Sequence, residues 1–267
     1  MQYLGGKSRI SKPISEVINA LSRREIENRK TNCRKDNNSR VCTGGRDLIS
    51  LFCGSCAVEC KLANSFSSMV LNDNHFYLIE LYKGLQNGYI LPDDITEEQY
   101  RYVKEHQTED SVLTGFVGFG CSFGGKWFGG YGRSKNRSHA AESKRALTRD
   151  MAILQNATFI CKDYRDVELP RDCVIYADPP YNNTTGYGRE KFDSEKFWEY
   201  ARGVSENHLM FISEQTAPAD FVTIWERPFT RTLDVNKQNQ FKVTEKLFIH
   251  KSQAERLNLF GTNEDRT

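Results

Sequence analysis

The chain has 267 residues, of which 38% are hydrophobic and 27% charged. That composition excludes a fibrous or low-complexity chain and suffices for one full core, or for a domain with a sizeable insertion. The 37 Lys and Arg against 35 Asp and Glu leave a net charge of +2, which alone names no polyanionic partner, and no apolar run approaches the roughly 20 residues that a membrane span needs.

Pro13 stands in the first turn of an amphipathic segment with Ile14, Val17, Ile18 and Leu21 on one face, the i, i+3, i+4, i+7 spacing of a helix. No secretory-signal pattern stands before the first motif at Tyr3. Residues 23–46 are polar, basic and rich in Asn, and are expected to form a mobile insertion. Asp47–Phe52 is a short apolar run, expected as a buried strand, and Gly54 and Ser55 turn the chain into a helix from about Ala57. Ser68–Asn72 is the next strand and ends at Asp73, with a helix expected over 75–86. This β-α-β-α rhythm predicts an α/β domain with a largely parallel sheet.

The rhythm breaks over 88–150. Thr96-Glu-Glu-Gln99 is a capping box that opens a short helix. Residues 115–132 mix glycine with aromatics so irregularly that they are expected to form a functional loop and not a core element. A helix over 140–154 leads back to strands at 157–161, 173–177 and 208–213, with a helix near 193–204. Thr230–Asp234 and Val243–His250 suit an antiparallel hairpin, and the residues from Ser252 onward look polar and poorly ordered.

Charge is concentrated in two places. Besides residues 23–46, the stretch 126–149 carries Lys126, Arg133, Lys135, Arg137, Lys144, Arg145 and Arg149 against Glu142. Two basic stretches on a near-neutral chain point to localised phosphate contact. Of the 8 cysteines, Cys53, Cys56 and Cys60 cluster, but no second pair stands at zinc-ligand spacing, so free buried thiols are expected.

The sharpest motif is Asp178-Pro179-Pro180-Tyr181, directly after the apolar run 173–177. It therefore stands at the carboxyl end of a strand, where open α/β sheets bind ligands. Two prolines set a rigid turn whose carbonyls are free. An amino group on an aromatic ring is a poor nucleophile because its lone pair is delocalised. Two acceptors, the Asp178 carboxylate and the Pro179 carbonyl, suit its hydrogens and favour a pyramidal nitrogen, and Tyr181 suits stacking on the ring. Three weaker signals accompany it. Phe52 and Gly54 follow the first strand, where a glycine admits a cofactor to the backbone. Asp73 ends the second strand, in place to accept from a ribose hydroxyl. Tyr3-Leu-Gly-Gly-Lys7 brings a lysine that suits a carboxylate, and Asp163-Tyr164 follows another strand.

In this order the motifs resemble the D12 class of N6-adenine DNA methyltransferases, which includes the Dam-type enzymes. The resemblance runs from Tyr3 to about His250. It implies a Rossmann-like S-adenosylmethionine-dependent methyltransferase fold, a mixed and mostly parallel sheet with helices on both faces. Residues 1–87 and 151–267 would form the catalytic domain, and 88–150 an inserted target-recognition domain. It implies S-adenosylmethionine as cofactor, with Tyr3, Lys7, Phe52, Gly54, Asp73, Asp163, Tyr164 and Asp178 around it, and Asp178 to Tyr181 holding a flipped adenine. Double-stranded DNA would be the partner, contacted by Lys126, Trp127, Tyr131 and Arg133. A cognate restriction endonuclease and a bacterial or phage-infected cytoplasm fit the same resemblance. No metal is called for, since the methyl sulfonium already carries a good leaving group.

Two positions depart from the family pattern acid-x-Phe-x-Gly-x-Gly: Ser50 replaces the acid and Cys56 the final glycine. The 115–137 stretch also lacks the Asn-Phe-Asn-type pattern of GATC-reading members, so no GATC target is carried over. Alternatives stay open. Enzymes acting on cytosine N4 more often carry Ser before Pro-Pro-Tyr and those acting on protein glutamine Asn. An RNA substrate, or a non-catalytic DNA-binding module on a degenerate fold, is also compatible. Binding of S-adenosylmethionine separates the last from an enzyme.

Overall fold

A computed structural model of the chain describes residues 1, 3, 6–35, 46–134, 137–180, 192–232 and 240–260. Tyr181, Lys135 and residues 36–45 therefore lie outside the described residues. In chain order the elements are α1 (Ser11–Lys35), β1 (Asp47–Ser50), α2 (Glu59–Leu62), β2 (Ser68–Asn72), α3 (Phe76–Gln86), α4 (Glu97–Glu105), α5 (Ser111–Gly115), α6 (His139–Ile153), β3 (Thr158–Ile160), β4 (Val174–Ala177), α7 (Ser194–Asn207), β5 (Leu209–Glu214), β6 (Phe221–Thr232), β7 (Gln240–His250) and α8 (Lys251–Arg256). Among the described residues the strands follow the order β3-β2-β1-β4-β5-β7-β6. The pairs β2·β3, β1·β4 and β4·β5 are parallel, and β7 runs antiparallel to β5 and β6. This is a mostly parallel, Rossmann-like α/β sheet, as expected. The chain divides into two compact units, Met1–Lys12 with Phe52–Val167, and Pro13–Leu51 with Glu168–Thr267.

In the second unit, β4 and β5 are buried along their whole length, as befits parallel strands covered on both faces. The helix α1 runs to Lys35, so the first part of the expected mobile insertion is helical. Its buried stripe is Ile14, Ile18, Ser22 and Glu25, all at most 5% exposed. The spacing continues at helical period, but polar residues take over the inward positions, and a search for apolar periodicity loses it at Leu21. Glu25 is tolerated inside because Arg29 pairs with it at 2.9 Å, with Arg46 and Arg256 both at 3.5 Å. The helix α8 stands at the start of the poorly ordered tail expected from Ser252, with Ala254 and Leu257 fully buried and His250 forming its capping box, while residues 261–267 of that expected tail lie outside the described residues.

The first unit holds β2, β3 and the helices α2 to α6. The capping box at Thr96 and Gln99 is present. The segment expected as an irregular loop divides in two. Residues 116–120 continue α5 as a π-helical turn, and Phe116, Val117 and Phe119 are wholly buried. Glycine here is a close-packing device. A Cβ on Gly115 would overlap the Tyr77 carbonyl in α3 and stand 2.9 Å from the Leu81 Cβ. Gly115→Ala therefore forces α3 and α5 apart, and the overlap outweighs the roughly 0.4–1 kcal/mol that alanine gains at a helical position, for a net cost of about 2 kcal/mol. Thermal unfolding checks this: the midpoint should fall by several degrees, roughly 2–4 °C per kcal/mol. An unchanged midpoint would mean that the two helices separate freely.

Candidate active site

The carboxyl end of β2 organises the first unit's site. The chain leaves β1, and the Cys53 N–H donates to the Asn72 carbonyl at 2.7 Å, which docks the turn at 53–56 onto the end of β2. Gly54 takes φ +44°, in the left-handed region. Its N–H donates to Asp73 Oδ2 at 3.1 Å, and the His75 N–H donates to Asp73 Oδ1 at 2.9 Å. Asp73 thus holds two backbone amides of the turn as well as its strand-end position, while the N-cap of α3 is His75, with no side-chain cap bond. Burial pushes its carboxyl above the ordinary value, while the two amide donors act in the opposite direction.

Tyr3 and Tyr82 complete the turn. The Tyr82 hydroxyl donates to the Gly54 carbonyl at 2.6 Å. The Tyr3 ring lies so close that a Cβ on Gly54 would stand 3.1 Å from Tyr3 Cε1. Lys7 is 5% exposed, a buried ammonium in keeping with a ligand that carries an anionic group. Asn72 fixes the neighbouring loop: its amide donates to the Lys162 carbonyl at 3.1 Å and accepts from the Lys162 N–H at 3.0 Å. Asp163 follows, held by the Arg165 N–H at 2.9 Å and its guanidinium at 2.7 Å. That pairing lowers the Asp163 carboxyl below its ordinary value. Phe52 and Tyr164 pack ring to ring at 5.4 Å.

Six of the expected cofactor residues therefore share one framework: Tyr3, Gly54 and Asp73 through direct contacts, Phe52 with Tyr164, and Asp163 through the Asn72 clamp. A turn with a positive-φ glycine packed closely under Tyr3, a buried carboxylate and a buried lysine fit S-adenosylmethionine. Asn72 and Tyr82 were missed by sequence reasoning. Asn72 had a signal, a polar residue closing an apolar strand; Tyr82 had none, because its partner lies 28 residues away.

The two departures have physical consequences. Cys56, in place of the family's final glycine, takes φ +56°, a conformation costly for a residue with a Cβ. Ser50 is fully buried in β1. The thiols of Cys53, Cys56, Cys121 and Cys173 are buried, and burial pushes Cys53 up to about 11.

In the second unit, β1 and β4 pair in parallel, and the Leu51 N–H donates to the Tyr176 carbonyl at 3.0 Å. The strand order reverses between these two strands, a topological switch point, and ligands of open α/β sheets bind outside the carboxyl ends there. Asp178 follows β4 at that end, half-buried, with Pro179 buried and Pro180 half-buried.

The four expected DNA-contacting residues lie at the end of the glycine-rich stretch. Phe123 N–H donates to the Gly130 carbonyl at 2.8 Å and Gly132 N–H to the Cys121 carbonyl at 2.9 Å, so 122–131 forms a narrow loop. Lys126 is exposed. Arg133 is exposed and paired with Glu97 at 3.1 Å. Tyr131 donates its hydroxyl to the Ile95 carbonyl at 2.6 Å and so anchors the loop. It also lines an open polar cleft of about 420 Å³ with Arg133, Arg137 and His139. Trp127 is half-buried among other rings. Phe123, not singled out from sequence, is 59% exposed in the same loop.

No curated protein matches the chain significantly. Several solved methyltransferase structures are similar to it. A Pyrococcus horikoshii protein described as an RNA methyltransferase has TM-score 0.38 and 9% identity, over 77% of this chain and 73% of that one. The tRNA (m1A58) methyltransferase of Aquifex aeolicus has TM-score 0.30 and 9% identity, over 76% and 62%. An S-adenosylmethionine-dependent methyltransferase of Clostridium acetobutylicum has TM-score 0.28 and 9% identity, over 89% and 77%. The family model for D12 class N6 adenine-specific DNA methyltransferases matches residues 3–114 and 124–216, most of the sequence from the Tyr3 motif through Asp178-Pro-Pro-Tyr to the end of β5. The chain belongs to the D12 class of N6 adenine-specific DNA methyltransferases, enzymes that use S-adenosylmethionine.

Proposed function

We propose that this protein methylates N6 of an adenine at a specific double-stranded DNA site, after the base has been flipped out of the helix. The observation that carries the reading is Asp178, placed with two prolines at the carboxyl end of a wholly buried strand beside the switch point. When bound, S-adenosylmethionine supplies an electrophilic methyl group. The protein's own work is to bind, orient and exclude water. Asp178 and the Pro179 carbonyl accept the two N6 hydrogens and hold the nitrogen lone pair toward the methyl. Tyr181 stacks on the adenine. A duplex hides N6 within the stack, hence the flip. Asp73 accepts from ribose hydroxyls, which also offsets the cost of keeping its carboxylate buried. Asp163 accepts from the cofactor's adenine amino group, Phe52 and Tyr164 pack against that adenine, and Lys7 faces the cofactor's carboxylate.

Residues 88–150 act as the recognition domain inserted between 1–87 and 151–267. In the narrow loop Lys126 supplies phosphate contact, Tyr131 holds the loop, and the exposed Phe123 offers an apolar face to the gap left by the flipped base. Arg133 reads a base edge or a phosphate after exchanging Glu97 for DNA. That pair is exposed and screened, so the exchange is cheap. Sequencing modified bases in DNA from cells that express the chain tests the reading: N6-methyladenine confined to one sequence context is expected, and its absence from DNA that such cells methylate nowhere else would remove it. Arg133→Ala should weaken DNA binding or broaden the methylated context, by about 1–3 kcal/mol if it reads a guanine edge, with cofactor affinity unchanged. Equal DNA affinity and an unaltered methylation pattern would take Arg133 out of the interface.

A further inference from the structure

Trp127 lies in the loop that carries the exposed Lys126 and Phe123, and its residue type alone suggests a DNA contact. Its indole is instead held among the protein's own rings. The centroid is 4.4 Å from His75 and 4.8 Å from Phe119, and the ring stacks on Tyr77 at 5.4 Å with 17° between planes. Gly118 makes room for it: a Cβ there would overlap the indole. The Phe128 N–H donates to the Gly118 carbonyl at 2.9 Å and closes the chain over the ring.

Two short paths lead from the indole to the cofactor turn. The His75 backbone N–H donates to Asp73 Oδ1, and that carboxylate in turn holds the Gly54 N–H. The Phe119 ring lies 4.8 Å from His75 and 5.3 Å from Tyr3, which rests on Gly54. Close-packed rings have no slack to absorb a missing neighbour, so loss of the indole shifts His75 and Phe119. Those two residues support Asp73 from one side and Tyr3 from the other.

We propose that Trp127 is a positioning residue for the S-adenosylmethionine site, acting through His75 and Phe119 on Asp73 and Tyr3, and not a DNA contact. The inference rests on the cofactor assignment above. It also gives the DNA loop and the cofactor turn a shared packing unit, so that ordering one favours the other, and by linkage the effect is reciprocal.

The test is a pair of variants, Trp127→Ala and Trp127→Phe, titrated calorimetrically with S-adenosylhomocysteine and assayed for methyl transfer. Trp127→Ala should raise Kd for S-adenosylhomocysteine and KM for S-adenosylmethionine about tenfold, while kcat at saturating cofactor, and DNA affinity measured without cofactor, stay within about twofold. Trp127→Phe should restore most of the loss, because a ring still fills the site. A Trp127→Ala chain with wild-type cofactor affinity and weakened DNA binding would overturn the proposal in favour of a DNA contact. So would a phenylalanine variant as impaired as the alanine one. Hydrogen exchange on the wild-type chain covers the case in which Trp127→Ala does not fold. S-adenosylhomocysteine without DNA should slow exchange at the Phe128 amide as well as at Gly54 and His75; protection that stops at 54 and 75 overturns the linkage. A wild-type chain that binds no S-adenosylhomocysteine overturns the cofactor assignment itself, and this proposal with it.

Discussion

Asp178→Ala lowers the single-turnover rate of methyl transfer to DNA by about 100- to 1000-fold, the usual cost of roughly 3–4 kcal/mol for removing one transition-state hydrogen-bonding group. The expectation follows from position. Val174 to Ala177 are buried throughout, so the strand that carries Asp178 does not move, and Pro179 and Pro180 fix the turn beyond it. A carboxylate on so fixed a backbone is placed to meet the N6 hydrogens. As the methyl bond forms, the nitrogen loses its conjugation and gains positive charge, and the carboxylate's attraction grows with that charge. The group therefore acts on kcat more than on binding. DNA affinity should fall much less, because phosphate contacts elsewhere supply most of it. Asp178→Asn separates shape from charge: it keeps a carbonyl acceptor and should retain more activity than the alanine variant. Rapid mixing of preformed enzyme–cofactor complex with duplex, followed by quenching, reads the step directly. A wild-type rate in Asp178→Ala would reduce Asp178-Pro-Pro-Tyr to a turn.

Asp73→Ala weakens S-adenosylhomocysteine binding by about 10- to 100-fold, equivalent to roughly 1.5–3 kcal/mol for a lost charged acceptor. The same substitution also lowers thermal stability. The Gly54 and His75 N–H groups both donate to this carboxylate, and alanine leaves both without their acceptor in a buried turn. The two effects separate by experiment: calorimetry at a temperature where the variant is folded reads the ligand, and thermal unfolding without ligand reads the two amide bonds. Lower stability with undiminished affinity would confine Asp73 to holding the turn. The pH dependence has a definite sign. The folded-state value of Asp73 lies above the ordinary 3.8, with burial as the main cause. The protonated form is thus favoured by folding, and the stability it contributes is lost as pH rises from 3.8 through the raised value. Ribose hydroxyls favour the ionised form, so affinity for S-adenosylhomocysteine should increase as pH rises through that same window, and the increase should vanish in Asp73→Ala.

The glycine-rich stretch shows how far composition alone reaches. Residues 115–132 were expected to be loop throughout, yet 116–120 form a buried helical turn and only the part from 122 onward is a loop. Glycine has no side chain to signal burial, and whether it marks mobility or close approach depends on what stands opposite. Here it is the Tyr77 carbonyl for Gly115 and an indole for Gly118. The basic stretch after Leu21 misled in a similar way, because Glu25 is an inward position only in the company of Arg29, Arg46 and Arg256, two of which are distant in sequence.

The sequence by itself determined the α/β alternation, the strands β1 to β5, the capping box at Thr96 and the strand-end positions of Gly54, Asp73 and Asp178. These are local facts: hydrophobic period, turn residues and caps act over a few residues and leave a trace in their order. The sequence also determined an antiparallel hairpin but not its bounds: the first strand, expected over 230–234, is β6 from Phe221 to Thr232, so that 221–229 and not 230–234 face 243–250. Tertiary structure alone decided that Asp73 clasps the turn at Gly54, that Tyr82 and Asn72 support it, that Cys56 occupies a left-handed backbone position, and that Trp127 faces inward while Phe123 faces solvent. Each of these rests on partners brought close by packing, and two aromatic residues four positions apart in one loop are chemically alike until the rings around them exist.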